Sequence, residues 1–528
     1  KTLLLNQFQY DHLDSEMLPG FKVDDGKLKM GHAEYKIVVI PPALFYEKAA
    51  FVKLREFVSK GGYIIFLGNL PYLSLEEGVS DREAAEMWRS LAAGYPEQVT
   101  FFPAEGRLEE AGIETLFIGK IRELAQEPLE VLLSDERERK NFITSIRKDE
   151  EGRLWLSLVN QGKKSARAVI KNNRDNVFAV EELSMESGTA EKAGKLEEER
   201  VLQFHPYQSR YLCFKPTDEK KTQEKSEERA ESPAGKKRVV ISSEQPFQVS
   251  LSGKNVFRLA KFDVSRDGEN WYQTEPMTLI EQAAAVPLLE KEDYKYESTF
   301  GTPKHIHMDF PLSLTYRTAF EVEAMPEQVE LLLDRRAITG SWEMKINGHK
   351  VDREQFYHRF INDENNRLAD ITACVKQGKN LLELQVTAYK ESDGLRDPVY
   401  LLGDFGVSEE HTLTVRPEEA LFDIHYIKGF PYYSGKMTLR QKIVLHPEEL
   451  ADESILSFDF GDTCPDCLEV RLNGESLGVR AFTPYQWICP KECVRQGENQ
   501  IEIVRTNTLA NMLDGTYFDY EKHRLVQI

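Results

Sequence analysis

The chain has 528 residues, which at about 100–200 residues per domain predicts roughly three to five domains. Its 68 basic and 88 acidic side chains leave a formal net charge of −20. Because surfaces that bind nucleic acids or anionic lipids are normally basic, this charge disfavours nucleic acids and membranes as partners, and it allows neutral ligands such as sugars.

Residues 1–130 are predicted to form an α/β domain with a flavodoxin-like layer. The apolar runs YKIVVIPP (35–42) and YIIFLGNLP (63–71) are typical of strands buried on both faces of a parallel sheet. The segment between them has apolar residues at helical spacing and ends at a glycine pair, so the order predicts a right-handed parallel crossover. The chain begins without Met in an apolar run, so we expect it to be a fragment or a cleavage product.

Residues 131–215 are predicted to form a small antiparallel β-sandwich. The string NFITSIRKDEEGRLWLSLVNQG (141–162) alternates apolar and polar residues on both sides of a turn, which is typical of a hairpin. The next segment, 216–238, is rich in Lys, Glu and Ser and has almost no apolar side chains. Such a segment cannot bury enough apolar surface to offset the entropy cost of ordering, so we expect a charged linker.

Residues 239–415 and 416–528 contain the same pattern twice. EMKINGHKV (343–351) corresponds to EVRLNGESL (469–477), and the apolar strands before and after these phrases also correspond. The Asn-Gly pairs at 347–348 and 473–474 favour tight turns in which both central residues have positive φ. Strand-rich units with such turns predict two tandem β-sandwich jelly rolls.

Several longer strings resemble the C-terminal half of α-L-rhamnosidase-type glycoside hydrolases. They are KNVFRLAKFDVSRDGENWY (254–272), DPVYLLGDFGV (397–407) and KGFPYYSGKMTL (428–439). The repeated Asn-Gly phrase is similar to the galactose-binding-like jelly rolls of large hydrolases. Residues 9–68 resemble the flavodoxin-like domain that follows the catalytic barrel in several such enzymes.

The resemblance extends over nearly the whole chain and implies a multidomain, mainly β accessory region. In that family a (β/α)₈ barrel carries the catalytic carboxylates, and nothing in this sequence corresponds to it. The resemblance therefore implies an upstream catalytic domain of the same polypeptide as the partner of this chain, with an oligosaccharide as the ligand.

No catalytic residue is assigned from the sequence. Glycoside hydrolysis needs two carboxyl groups about 5–9.5 Å apart, and 88 acidic residues offer too many pairs to choose among. Asp404, within the apolar string LLGDFGV, is the first carboxylate to consider for substrate binding, because an unpaired carboxylate in apolar surroundings is costly. The alternative is a turn aspartate that accepts hydrogen bonds from backbone N–H groups.

Sugar binding would use exposed aromatic rings that stack on pyranose faces, with amides and carboxylates nearby. Core packing or a rim contact is the alternative for each aromatic residue. The candidates are Trp271, Tyr272, Trp342, Tyr432, Tyr433, Tyr485 and Trp487.

Two short motifs have ligand spacings that suit a metal. Cys464, Cys467, Cys489 and Cys493, in CPDC and CPKEC, are compatible with a structural zinc site, with disulfides or free buried thiols as alternatives. The string HIHMD (305–309) would place two histidines and Asp309 on one strand face, either as metal ligands or as a polar surface. The paired, reduced-looking cysteines slightly favour the cytoplasm over secretion.

These observations predict a non-catalytic part of a rhamnosidase-like glycoside hydrolase that acts on plant-type or other complex oligosaccharides. Such a part would support the catalytic barrel and contact sugar. Two alternatives remain, an independent carbohydrate-binding module and a structural spacer without ligand. Exposed aromatic rings favour the module, and buried rings favour the spacer.

Overall fold

The computed structural model describes residues 1–74, 76, 82–103, 112–133, 136–185, 187–221, 237–288 and 309–528. The chain divides into two compact units, Lys1–Ser232 and Pro233–Ile528. Most of the regular structure is β, so the predicted mainly β class is confirmed. In the described ranges, no helix combines the length and the apolar character needed to cross a membrane.

The first part of the N-terminal unit is an α/β layer. Its helices are α1 (Thr2–Leu5), α2 (Lys48–Ser59), α3 (Arg82–Gly94) and α4 (Ile113–Ala125), and its strands are β1 (Lys22–Asp24), β2 (Lys27–Met30), β3 (Ala33–Tyr35), β4 (Ile37–Ile40), β5 (Phe45–Tyr46), β6 (Tyr63–Leu67), β7 (Leu73–Ser74) and β8 (Val99–Phe102). Strands β4, β6 and β8 form a parallel sheet in that order, β1 to β3 form an antiparallel meander, and β5 pairs with β7. The parallel pairing of β4 with β6 around α2 is the crossover predicted from the apolar runs.

Helices cover both faces of the parallel sheet. Trp88 of α3 packs edge-on against Phe51 of α2 and Phe66 of β6, with ring centroids 4.6 and 5.3 Å apart. The neighbouring Ile65 points to the opposite face, because side chains alternate along a strand, and it packs with Phe117 of α4. The sheet is therefore buried on both sides, which explains its continuous apolar sequence.

The second part of the N-terminal unit is an antiparallel sandwich. Its strands are β9 (Leu129–Leu133), β10 (Phe142–Lys148), β11 (Leu154–Asn160), β12 (Ala166–Asn172), β13 (Asn176–Leu183), β14 (Ala190–Leu196), β15 (Glu199–Phe204) and β16 (Ser209–Lys220). The sheet β10-β11-β16-β13-β14 faces the sheet β15-β12-β9 across one apolar core. Strand β16 continues to Lys220, so the first residues of the predicted linker at 216–238 extend a strand. The rest of that linker lies largely outside the described residues.

The C-terminal unit contains two β-sandwiches and the helices α5 (Leu279–Ala285) and α6 (Ala510–Leu513). Its strands are β17 (Arg238–Ile241), β18 (Phe247–Leu251), β19 (Asn255–Leu259), β20 (Phe262–Ser265), β21 (Tyr272–Thr274), β22 (Leu312–Val322), β23 (Val329–Asp334), β24 (Ile338–Thr339), β25 (Ser341–Ile346), β26 (His349–Val351), β27 (Tyr357–His358), β28 (Asn366–Asp370), β29 (Gly378–Ala388), β30 (Gly394–Leu395), β31 (Val399–Gly403), β32 (Gly406–Val407), β33 (Thr412–Thr414), β34 (Glu419–Ala420), β35 (Lys436–Leu445), β36 (Glu453–Phe458), β37 (Cys467–Leu472), β38 (Glu475–Arg480), β39 (Gln486–Pro490), β40 (Gly497–Thr506), β41 (Thr516–Asp519) and β42 (Arg524–Gln527).

The two sandwiches share one strand order. In the first, a sheet runs β21-β20-β22-β29-β25-β26, and in the second the corresponding sheet runs β34-β18-β35-β40-β37-β38. The opposite sheets contain β31-β23-β28 in the first and β17-β36-β39 in the second. Each strand that contains a repeated sequence segment in one copy occupies the same position in the sheet as its counterpart in the other copy, as the sequence repeat predicts.

Strands β27, β31, β32 and β33 belong to the sheets of the first sandwich and have no counterpart in the second. In the second copy β17 pairs directly with β36 in parallel, whereas in the first copy β31 lies between β19 and β23 and pairs antiparallel with both. Strand β31 is thus an insertion that widens the sheet of the first copy.

The first sandwich lies inside the sequence of the second. Strands β17 and β18 precede it in the chain, yet they pair with β36 and β35, more than 180 residues later. This pairing differs from the expectation that the second jelly roll begins at residue 416. Pattern alone could not reveal it, because pairing across such a distance leaves no local sequence signal.

A hydrogen-bonded asparagine pair, one member buried and the other half-buried, explains why the same residues recur in the two copies. Asn347 has φ +52°, and its side-chain amide donates to the Asn380 Oδ1 at 2.7 Å and to the Cys374 carbonyl at 2.9 Å. The Asn473 amide donates to the Asn499 Oδ1 and the Cys493 carbonyl at the same two distances. Since buried amides are costly unless they are paired, this shared network fixes the same turn in both sandwiches.

The interiors of the two copies differ at one matched position. Arg505 of β40 and Val386 of β29 occupy equivalent places, and both are almost fully buried. The Arg505 guanidinium pairs with Asp466 at 2.5 Å and also donates to the carbonyls of Ile424 and His425. The arginine thereby ties the connection between the sandwiches to the second core.

Adjacent residues also connect the two sandwiches. Tyr432 packs in the core of the first, whereas its neighbour Tyr433 packs in the core of the second. Beyond β40 the chain returns to the first sandwich, where Met512 enters the core and the Leu513 carbonyl accepts a hydrogen bond from Arg258. The pair of sandwiches is therefore fastened at two separate places.

Candidate functional site

Four of the predicted sugar-binding aromatics are core residues. Tyr432, Tyr433, Tyr485 and Trp487 are all at most 4% exposed. Their polar atoms are already satisfied inside the protein: the Tyr485 hydroxyl donates to the Asp466 carbonyl and the Trp487 indole donates to the Gly478 carbonyl. These rings present no face to a sugar, so the prediction that they are exposed stacking platforms is wrong for this set.

The remaining three aromatics are half-buried and do not form one platform. An Arg317 guanidinium covers the Trp271 ring at 3.7 Å, and an Arg353 guanidinium covers the Trp342 ring at 4.3 Å. Tyr272 on β21 and Trp342 on β25 are separated by three intervening strands of one sheet, about 19 Å at roughly 4.8 Å per strand.

Asp404 does not lie in apolar surroundings, although its sequence neighbours are buried. Its side chain is 56% exposed and forms an ion pair with Arg416 at 3.2 Å. The residue lies in the turn between β31 and β32 with its side chain pointing outward, which agrees with the turn aspartate that was the alternative to a substrate-binding carboxylate.

The four clustered cysteines lie on different parts of the second sandwich. Cys467 begins β37 in one sheet, whereas Cys489 lies on β39 in the opposite sheet. Burial raises the pKa of the Cys464 thiol to about 12 and that of Cys489 to about 11, which opposes the thiolate form that zinc requires.

The described residues contain no group of three or more His, Cys, Asp and Glu side chains placed to hold a metal ion. The predicted zinc site therefore gains no support from the geometry. His305 and His307 of the second metal pattern lie outside the described residues.

A cleft in the N-terminal unit brings together polar side chains that the sequence did not single out. It has a volume of about 570 Å³ and lies between the α/β layer and the small sandwich of that unit. Four stretches of the chain contribute its lining, which consists of Asn6, Gln7, Phe8, Gln9, Arg122, Ala125, Gln126, Glu127, Leu129, Glu130, Val131, Ile146, Asn173 and Arg174.

The end of α4 gives the cleft its shape. Helix α4 ends at Ala125, and Gln126 adopts a left-handed conformation with φ +48° that redirects the chain towards β9. The Asn173 amide, beyond the end of β12, donates to the Glu127 carbonyl at 3.1 Å and holds this turn against the sandwich.

One part of the lining is occupied by internal hydrogen bonds. The Arg122 Nε lies 3.1 Å from the Glu130 Oε1. The Asn6 Oδ1 accepts a hydrogen bond from Arg139, and the Gln7 Oε1 accepts one from the Thr144 hydroxyl. These groups build the wall of the cleft rather than offering themselves to a ligand.

Another part of the lining is free. Within the described ranges, the Gln126 amide, the Glu127 carboxylate and the Arg174 guanidinium have no hydrogen-bond partner. Glu127 is solvent-exposed, yet the protein atoms around it raise the pKa of its carboxyl by desolvation, and the positive charge of Arg174 acts in the opposite direction. The free groups include hydrogen-bond donors and acceptors side by side.

Sequence reasoning missed this cleft because no motif marks it. Its residues come from stretches near 6–9, 122–131, 146 and 173–174, which only the fold brings together. The one available signal was polar amides at the ends of elements, as in QEP after α4 and NNRD after β12.

Comparisons with known proteins give partial structural likenesses. No protein-family profile and no curated protein matches the chain. A rhamnosidase from Novosphingobium sp. PP1Y matches with a TM-score of 0.31 and 15% identity, over 75% of this chain and 36% of the other. An exo-carrageenase of GH42 from Bacteroides ovatus gives 0.28 and 13%, over 41% and 26%. The GH42 β-galactosidase Gan42B, from G. stearothermophilus, gives 0.28 and 11%, over 40% and 34%. The chain spans less than two fifths of the length of each of these glycoside hydrolases.

Proposed function

We propose that this chain is a non-catalytic part of a rhamnosidase-like glycoside hydrolase. In this role it supports an upstream catalytic domain of the same polypeptide and contacts a complex oligosaccharide. The observation that carries the proposal is the order of layers along the chain. A parallel α/β layer and a small antiparallel sandwich come first, and a pair of like sandwiches comes after them, as the sequence resemblance implies, with one of the pair nested in the sequence of the other.

The fastening of the two C-terminal sandwiches supports a bracing role. Tyr432 and Tyr433 anchor one connection in both cores, and Arg505 holds the neighbouring carbonyls. A supporting region must hold its domains in a fixed arrangement. A connection whose side chains are packed in both cores restricts motion between the two sandwiches.

The two alternative functions draw on different observations. Burial of four of the seven candidate aromatic rings favours a structural spacer, because stacking on a sugar needs an exposed ring. The cleft in the N-terminal unit favours a binding module, because its free polar groups are suited to a ligand. Measured affinity for a saccharide would separate the two.

Hydrolysis by the purified chain tests the proposal. The 528-residue chain is expected to release no p-nitrophenol above the buffer rate from α- and β-linked p-nitrophenyl glycosides, the α-L-rhamnoside included. Turnover that disappears when one carboxylate is replaced by its amide would mean that the chain carries its own catalytic pair, and the non-catalytic role would then be wrong.

A further inference from the structure

The lining of the cleft between the α/β layer and the small sandwich contains two kinds of polar side chain. Some are paired within the protein, and others are available to a ligand. Arg122 and Glu130 neutralise each other, and Asn6 and Gln7 are held by the sandwich. A wall whose own polar groups are paired keeps its shape without a ligand. Preorganised walls of this kind reduce the ordering cost of binding.

The free groups lie next to one another in the chain and in space. Gln126 and Glu127 follow α4 directly, and the Arg174 charge is close enough to act on the Glu127 carboxyl. An amide both donates and accepts, a carboxylate accepts and a guanidinium donates. A ligand hydroxyl can satisfy each of the three, since it donates and accepts as well.

Charge decides between ligand classes. Two arginines and two glutamates line the cleft, so the lining has no net charge, and the chain as a whole is at −20. A polyphosphate or polyuronate would need an excess of positive charge to compensate its own. A neutral polyhydroxylated ligand meets no such requirement.

The volume of the cleft and its apolar surface also suit a neutral polyhydroxylated ligand. The volume of about 570 Å³ lies within the roughly 300–1,000 Å³ typical of small-molecule sites. Phe8 and Ile146, which are half-buried, contribute apolar surface to the lining. The C–H faces of a sugar ring can pack on such surface while its hydroxyls reach the polar rim.

We propose that this cleft binds a short neutral oligosaccharide through Gln126, Glu127 and Arg174. The inference rests on the proposed function for the expectation of a saccharide, but the residues that carry it come from the cleft alone. None of the aromatic residues predicted from the sequence takes part.

Calorimetry on the full chain tests the inference. The probes are neutral tri- and tetrasaccharides of rhamnose, galactose, glucose and mannose, with trigalacturonic acid and ATP as anionic probes. At least one neutral probe is expected to bind more tightly than either anion. Arg174→Ala and Glu127→Gln are each expected to weaken that binding at least about fivefold, the loss of roughly one hydrogen bond to a charged group.

Two variants on α3 serve as matched controls. Arg89 and Glu86 are exposed and lie on the helix that covers the other face of the parallel sheet, away from α4. Arg89→Ala and Glu86→Gln are expected to bind the same saccharide as tightly as the unaltered chain. Because all four side chains are exposed, an unchanged melting temperature checks that each variant folds.

Hydrogen exchange gives a second readout that does not depend on substitutions. The bound saccharide is expected to slow amide exchange in peptides that cover 122–131 and 172–176, and to leave those of α3 unchanged. The inference is overturned if no neutral probe binds, if an anion binds most tightly, or if the cleft variants bind as well as the controls. Hydrolysis of an aryl glycoside would instead contradict the proposed function and leave the cleft binding unaffected.

Discussion

The two C-terminal sandwiches share a strand order and a turn, but they differ in extra strands and in one buried side chain. Both keep the paired asparagines, Asn347 with Asn380 and Asn473 with Asn499, together with the left-handed turn that the pair supports. Around this shared part, one copy gains β31 and the other gains a buried arginine. The comparison indicates that the paired amides keep the same turn in each copy, while other parts of the two cores differ.

The largest effect is expected when the buried arginine of the second copy is replaced by the residue type that the first copy has at the equivalent position. Arg505→Val replaces the arginine with the residue type found at the equivalent position 386. It leaves Asp466 as a buried carboxylate without its partner, so we expect a loss of about 3–5 kcal/mol in the free energy of unfolding. Calorimetric unfolding measures the loss.

A double variant sharpens that test. Arg505→Val with Asp466→Ala removes both charges, so the double variant should be more stable than Arg505→Val alone. Equal stability of the single and double variants would mean that the ion pair does not account for the loss.

Removal of the shared amides should affect both copies alike. Asn380→Ala and Asn499→Ala each remove the side-chain partner of several partly buried backbone groups, so we expect a loss of about 1–3 kcal/mol from either copy. Thermal unfolding measures both. Lys379→Ala and Gln500→Ala, at exposed positions beside them, should change little. A large loss in only one copy would break the correspondence.

Acid should weaken the first sandwich through Glu330. Burial acts to raise the pKa of this carboxyl, but hydrogen bonds from Tyr357 and Lys254 outweigh it, and the folded pKa lies below the usual value. The stabilisation is therefore present above the unfolded pKa of about 4.3 and is lost as the pH falls through the folded pKa.

The Glu330→Gln variant isolates this contribution. Melting temperatures of the two proteins between pH 7 and pH 3 should differ most near neutrality and converge in acid. A difference that does not change with pH would show that the charge of Glu330 does not matter.

The smallest expected effect concerns the outer faces of the two copies. Arg440 of the second copy pairs with Glu502, whereas the equivalent Arg317 lies over Trp271. Arg317→Ala should expose that indole, with red-shifted emission and stronger acrylamide quenching, and should hardly change the melting temperature. Arg440→Ala is the matched control and should leave the emission unchanged.

Many strands and turns of the two sandwiches could be predicted from the local sequence pattern. Alternation and Asn-Gly turns predict the strands around 347 and 473, because tight turns and pleats leave their mark within a few residues. The pairing of β17 and β18 with distant strands was missed, since no local pattern encodes a partner more than 180 residues away.

The candidate site was less accessible from sequence. Trp487 lies in the alternating strand β39 and Tyr485 just before it, where either face could have been the outer one, and both side chains point into the core. The cleft forms where four separate stretches of the chain meet, so its residues share no motif. Ordinary residue types such as Gln126 and Arg174 become a candidate site only through their position in the fold.

The nesting of one sandwich within the other sets an order of assembly during synthesis. The ribosome delivers β17 and β18 first, but their partners emerge only after the whole inner sandwich. The strands of the inner sandwich are all made once β33 is complete, whereas the two leading strands then still lack their partners β35 and β36. Delay at this stage exposes the edges of these two strands to neighbouring nascent chains, so the early strands are where chaperone protection matters most.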